Sequence, residues 1–290
     1  MKSDTTRGSR VKDFIKGIPV VGITAQRIAR WPGLARARYL AFSGSAPFWE
    51  SVYREGGTSG PGSYGRLAQF KAEILNEFVR AKNIQRVVEF GCGDGAQLRL
   101  ASYPQYVGVD VASGAVERCF ELFSKDPSKS FYHVNALPAD LGKFDLAMSL
   151  DVIYHLVENS VFDAYMRRLF DSSLKYVAIY SSNYDALTQA PHVRHRKFTN
   201  RIAKNATAWQ QQSFVANRYP ADPTLPEETS VADFYFFARG DAIADDSGQK
   251  DHHAGGPFFQ TIACLSSERP YLRGALPQRA RPRPLPSPPA

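Results

Sequence analysis

The sequence is short of several things, and each shortage narrows what the chain can be. Its 290 residues include only three cysteines, Cys92, Cys119 and Cys264, and no two of them form a CxxC pair. That is too few for a disulfide framework, so a reducing, cytoplasmic setting is the expectation. No run of about 18 apolar residues occurs, which leaves no candidate for a membrane-crossing helix. The basic start, MKSDTTRGSRVKDF, leads into no apolar h-region, so no secretory signal is read there. His and Cys never recur at metal-site spacing, and His252 and His253 lie in a polar end, so no metal is expected. Charge is present in both signs, with 36 Lys+Arg against 28 Asp+Glu, a net +8. With 43% hydrophobic and 22% charged residues, the chain is neither wholly disordered nor collagen-like.

Composition divides the chain into a basic N-terminal extension (1–47), a patterned domain (48–239) and a Pro/Arg-rich tail (240–290) ending QRARPRPLPSPPA. The tail has too few apolar positions to offset the entropy of ordering it. Within the domain, short β-branched runs at 86–90 (RVVEF), 106–110 (YVGVD), 144–149 (FDLAMS) and 176–180 (YVAIY) read as strands, with a weaker candidate at 131–134 and another at 231–238. Between them lie stripes at helical spacing: Leu67, Phe70, Ile74, Leu75 and Phe78; Val116, Cys119, Phe120 and Phe123; Phe162, Tyr165, Met166 and Leu169. Strands alternating with helices of this length predict an α/β fold, with a mostly parallel sheet covered on both faces.

The first strand runs into a turn, Glu89-Phe90-Gly91-Cys92-Gly93-Asp94-Gly95, and the second ends on Asp110. Glycines let a backbone turn tightly and approach a ligand closely, and a carboxylate after the second strand suits ribose hydroxyls. Gly91, Gly93 and Ala96 also satisfy the loose dinucleotide pattern, so glycine spacing alone leaves a nicotinamide cofactor open. Charge separates the two. Glu89 and Asp94 flank the turn and would repel a pyrophosphate, which needs N–H donors there. S-adenosylmethionine is phosphate-free and carries a sulfonium and an ammonium. Two unit charges about 4 Å apart interact by roughly 4 kcal/mol at an effective dielectric of 20, before desolvation.

The runs VVEFGCGDGAQL, YVGVDVASGAV and FDLAMSLDVIYHL resemble motifs of class I S-adenosylmethionine-dependent methyltransferases. A Gly-rich segment at 56–65, SLDVIYHL (149–156), IYSSN (179–183) and HVRHRKFT (192–199) are similar to bacterial methyltransferase domains found alone or beside glycosyltransferases. The resemblance spans about 48–238. It implies a Rossmann-like, seven-stranded, mostly parallel sheet with helices on both faces and an antiparallel last strand at 231–238. It also implies that Glu89, Gly91 and Gly93 line the methionine portion, that Asp110 holds the ribose and that Asn135 and Ala136 meet adenine. Cys92, Asp94, Gly95 and Val111 complete the expected donor site, Cys92 as a small residue packed under the loop. The segment 56–65 reads either as a flexible linker or as a lid, with Tyr64 covering the bound donor.

In open α/β sheets ligands sit beyond the carboxyl ends of the strands, so candidates for chemistry follow strands four and five. Asp151 and His155 would share a face if Asp151 began a helix; the alternative is a helix-capping carboxylate and a structural histidine. His192, Arg194, His195, Arg196 and Lys197 form a cationic cluster after strand five. His192 or His195 could act as a base, and the guanidinium groups could grip an anionic acceptor.

The leading expectation is methyl transfer to oxygen of a small or glycan-type acceptor, the glycan part resting on the resemblance and the HVRHRK segment. The +8 charge keeps an RNA methyltransferase open, although no RRM, KH or OB signature occurs and nucleic acid is not the expected partner. A non-catalytic cofactor-binding scaffold is the third reading. Arg7, Arg10, Lys12, Lys16, Arg27, Arg30, Arg36 and Arg38 interleave with Ile18, Val20, Val21 and Trp31. Such a segment either lies against the anionic inner face of a membrane or stays solvated.

Overall fold

The computed structural model describes residues 42–240 and 242. The basic segment up to residue 41 and nearly all of the Pro/Arg-rich end, with His252, His253 and Cys264, lie outside the described residues. The described elements run α1 (Ser45–Arg54), α2 (Gly65–Ala81), β1 (Arg86–Phe90), β2 (Gln105–Asp110), α3 (Ser113–Leu122), β3 (Lys129–His133) and β4 (Phe144–Leu150). They continue with α4 (Asn159–Asp171), β5 (Ser173–Ser181), β6 (Ala186–Leu187), β7 (Arg194–His195), α5 (Phe198–Asn205), β8 (Trp209–Val215) and β9 (Asp233–Arg239).

Seven strands form one sheet in the order β3-β2-β1-β4-β5-β9-β8. The first five are parallel, and β9 inserts antiparallel between β5 and β8. This is the mixed α/β sheet that the alternating pattern predicts. Burial on both faces explains why the strands read as continuous apolar runs. In β9, Phe234 and Phe236 alternate with Tyr235 and Phe237, and all four are buried. Phe234 and Phe236 meet α2, where Phe78 stacks on Phe236 with centroids 4.5 Å apart and Phe70 lies 6.0 Å from Phe234. Tyr235 and Phe237 join the opposite core, with Phe162, Met166, Leu169 and Phe170 of α4. The α2 stripe is almost wholly buried, at 0–2% exposure from Leu67 to Phe78. The α3 stripe is only partly so, because Phe120 is 54% exposed and meets the core edge-on at the Phe131 ring, centroids 5.8 Å apart.

Three local expectations change. Asp151 does not begin a helix; it sits at φ +60° after β4, and only the single 3-10 turn Ile153–His155 follows. The cationic HVRHRKFT segment is a two-residue strand, β7, paired with β6, before α5 begins at Phe198. The edge strand β8, with three glutamines in WQQQSFV, has no apolar run to announce it. Among the described residues no helix is long and apolar enough to cross a membrane.

Candidate functional site

The carboxyl ends of β1, β2 and β4, with residues 134–135 just past β3, open into a cavity of about 600 Å³, roofed by α1 and by the Gly-rich segment 56–65. Its floor is the turn after β1. Gly91 and Gly93 hold φ of +85° and +59°, and a Cβ would come within 2.3 Å of Val152 at Gly91 and 2.2 Å of Ser59 at Gly93. The turn is therefore closed to any side chain at both positions. The Asp110 carboxylate accepts N–H bonds from Gly93 (2.9 Å) and Ala112 (2.9 Å), so it clamps the turn as well as facing the cavity. Burial raises its pKa, against those two N–H donors.

Glu89 is buried, lines the cavity and accepts a 2.6 Å hydrogen bond from the Tyr106 hydroxyl. Burial pushes its carboxyl up to about 7, opposed by the Tyr106 bond and the Lys71 ammonium. Cys92 lines the cavity from beneath, and its thiol is raised well above the usual range by the neighbouring Cys119 and by burial, so it is no thiolate nucleophile. Val111 also lines the cavity, and its carbonyl bonds the His133 ring. Asn135 lies on the wall, whereas Ala136 closes the turn after β3 and stays outside it. Gly95 points to Phe123 and Cys119 rather than into the cavity.

Asp94 and Tyr64 have a different part from the one the sequence suggested. Neither lines the cavity. The Asp94 carboxylate accepts bonds from the Ser59 N–H (3.1 Å), the Ser59 hydroxyl (2.8 Å) and the Tyr64 hydroxyl (2.6 Å). Together with Arg118, which binds the carbonyls of Gly57 and Tyr53, these bonds latch the Gly-rich segment shut over the glycine turn. Residues 59–63, not Tyr64, supply the roof.

Past the end of β4, Asp151 and His155 both line the cavity. The Asp151 carboxylate pairs with the Lys71 ammonium at 2.7 Å and accepts a 2.8 Å bond from the Tyr154 hydroxyl. The His155 Nδ1 lies 3.1 Å from the His192 carbonyl, and a carbonyl can only accept, so Nδ1 carries the proton and Nε2 keeps its lone pair. Burial pushes His155 down to about 4, hence it is neutral at pH 7. His192 lines the cavity too, its ring stacked between Phe48 (4.4 Å) and His155 (5.5 Å). His195 lies outside the lining, with Nδ1 at 2.7 Å from the Ser182 hydroxyl. Burial lowers both of these imidazoles as well.

Apart from His192, the cationic cluster lies outside the cavity lining. Arg196 binds the carbonyls of Leu156 and Val157, and Arg194 binds Val157 (3.3 Å) and Asn159 (3.1 Å). These guanidinium groups staple the loop after β4 instead of presenting a grip for an anion. Lys197 is exposed, and its backbone N–H bonds Asp185. Residues that sequence reasoning passed over include Trp49 and Tyr53 of α1 and Lys71 of α2, all of which line the cavity. Lys71 left a signal: it falls within the stripe of Leu67, Ile74 and Phe78, where an isolated lysine must be buried and paired. Among the described residues no group of three or more His, Cys, Asp or Glu converges to hold a metal ion.

The cavity fits a phosphate-free cation. Two glycines keep the floor open, three carboxylates face the space, and no arginine or lysine stands in the glycine turn. Residues 87–173 match the family model of a methyltransferase domain. No curated protein matches the chain. The structure is similar to the N-methyltransferase NodS from Bradyrhizobium japonicum WM9 in complex with S-adenosyl-l-homocysteine, with 14% identity, 68% of this chain and 100% of that one covered, and a TM-score of 0.50. Others include the methyltransferase domain of bacterial CtHen1 (21% identity, 59% and 98% covered, TM-score 0.48). Magnesium protoporphyrin IX methyltransferase from Synechocystis PCC 6803 with bound SAM follows at 16% identity, 76% and 99% covered, TM-score 0.44. At these identities the likeness is one of fold.

Proposed function

We propose, from the match of residues 87–173 to a methyltransferase domain, that the chain takes S-adenosylmethionine as methyl donor and methylates a hydroxyl of a small, neutral, glycan-type acceptor. The donor, when bound, supplies a methyl group on a sulfonium leaving group. Glu89 and Asp110 provide negative charge and hydrogen-bond acceptors for it, and the Gly-rich roof excludes water while the latch is closed.

The observation that carries the reading is His155. It is neutral at pH 7, its Nδ1 proton is pinned to the His192 carbonyl so that Nε2 keeps its lone pair, and the residue lines the cavity shared with the glycine turn. A base this weak accepts the proton late, once the bond to carbon has made the hydroxyl acidic. An amine acceptor would need no such partner at the moment of transfer. The neutral, ring-shaped acceptor is supported by Trp49, Tyr53 and Tyr154 on the walls, and by Arg194 and Arg196 being committed to main-chain carbonyls. Arg168, the one guanidinium on the lining, lies within 3.4 Å of the Val134 carbonyl, toward the β3 side.

The test is methyl transfer from labelled S-adenosylmethionine to panels of neutral saccharides, primary amines, carboxylates and RNA, with mass-spectrometric location of the methyl group. The expected product is an O-methyl saccharide, with His155→Gln reducing kcat roughly a hundredfold. Product found only on amines or RNA overturns the proposal.

A further inference from the structure

Lys71 is an ammonium where the fold asks for an apolar side chain. It sits on the buried face of α2 at 1% exposure, amid Leu67, Ile74 and Leu75. A methionine there would anchor the helix as well, since a buried ion pair is often no more stable than its hydrophobic replacement. The partner is equally unusual. Asp151 holds a left-handed backbone, φ +60°, which disfavours a residue with a Cβ. Its carboxylate is held by Lys71 at 2.7 Å and by the Tyr154 hydroxyl at 2.8 Å, and Gly62 of the roof passes so close that a Cβ there would come within 2.9 Å of Asp151 Oδ2. Glu89, Lys71 and Asp151 line one cavity, Glu89 at the end of β1 and Asp151 just past the adjacent β4.

We propose that the buried Lys71–Asp151 pair is a tuning device for Glu89, setting the charge with which the chamber tells the cationic methyl donor from its neutral demethylated product. Lys71 and Asp151 act on Glu89 with opposite sign: the ammonium favours the carboxylate and Asp151 opposes it, both against the larger effect of burial. The other groups around the pair are Asp110, which also opposes ionisation of Glu89, the Tyr154 hydroxyl, the Tyr180 ring 5.4 Å from the ammonium, and His155, which feels the Asp151 charge. Lys71 is thus a positioning residue. It acts on the bound ligand through Glu89 and Asp151, and the inference rests on the methyl-donor reading but not on the identity of the acceptor.

The experiment is calorimetry on the full-length protein with S-adenosylmethionine and S-adenosylhomocysteine separately, from pH 5.5 to 9, taking the ratio of the two affinities at each pH. In the wild type, preference for the donor is expected to rise through a midpoint near 7, where Glu89 ionises. Lys71→Met should move that midpoint upward by about one unit, a tenfold change in proton concentration, and Asp151→Asn should move it downward. Lys71→Arg should leave it in place. The double variant Lys71→Met/Asp151→Asn removes both charges and should return the midpoint to near the wild-type value; it keeps the test open should Lys71→Met fail to fold. Opposite shifts in the single variants are a result that a purely structural role would not give. Folded single variants with the wild-type midpoint, or with shifts of the same sign, overturn the inference. Wild-type protein that binds neither ligand overturns the donor reading itself, and this inference with it.

Discussion

The donor half of the cavity comes from little more than one stretch of chain, β1, its glycine turn and the end of β2, whereas the acceptor half is gathered from α1, α2, the 3-10 turn after β4 and the loop before β7. In the first, the two carboxylates that face the cavity meet partners close in sequence or on the neighbouring strand: Asp110 holds Gly93 and Ala112, and Glu89 holds Tyr106. In the second, partners are far apart: Lys71 and Asp151 are 80 positions distant, His155 and His192 are 37, and Ser45 and Glu158 are 113. A donor shared across a fold class is served by a local motif, while the acceptor site depends on how separate elements close around it.

That contrast predicts that damage to the acceptor half reaches the fold, and damage to the donor half reaches the ligand. The largest effect is expected from Asp151→Ala, which leaves the Lys71 ammonium buried and unpaired; urea denaturation should show a loss of about 3–5 kcal/mol. If stability holds within about 1 kcal/mol of wild type, the pair is not the anchor its burial implies. Next is Asp110→Ala. The change removes the clamp on the glycine turn and, on the proposed reading, an acceptor for the donor's ribose, so affinity for donor and demethylated product alike should fall by about 1.5–3 kcal/mol for each hydrogen bond to the charged group, read by calorimetry. A change confined to one of the two ligands would break the assignment.

His155 gives a smaller effect of known sign. Its folded pKa, about 4, lies below its ordinary value of 6.5, so it contributes stability that is present above pH 6.5 and lost as pH falls through 4. Thermal melts between pH 7 and 4 should therefore flatten in His155→Gln relative to wild type. The smallest change is expected from Tyr64→Phe, which removes one of the three bonds from residues 59 and 64 to the Asp94 carboxylate. Amide exchange in 56–65 should quicken by an amount corresponding to about 1 kcal/mol, with the global stability almost unmoved. Unchanged exchange would mean that Ser59 alone holds the latch.

The glycine turn was readable because its chemistry is written consecutively: acid, glycines and the second-strand acid fall within 22 residues, 89–110. Continuous β-branched runs and 3.6-residue stripes likewise foretold the mostly parallel core and the α2 stripe. The strand β8 was not readable, because an edge strand rich in glutamine carries no apolar alternation. The histidines after β5 illustrate a subtler limit. HVRHRK looks like an anion grip, yet the direction of each side chain depends on the β6–β7 pairing, which turns Arg194 and Arg196 to the loop after β4 and leaves His192 toward the cavity.

By itself the sequence determined the fold class, the mostly parallel character of the sheet and the residues of the glycine turn, since those follow from apolar runs, glycine conformational freedom and charge near one another in the chain. The tertiary structure alone decided that Asp94 and Tyr64 form a latch, that Lys71 faces Asp151, and that His155 holds its proton on Nδ1. Each of these rests on a contact between residues 30 to 80 positions apart in the chain, and the energy of such contacts depends on distance and burial, which no local pattern encodes.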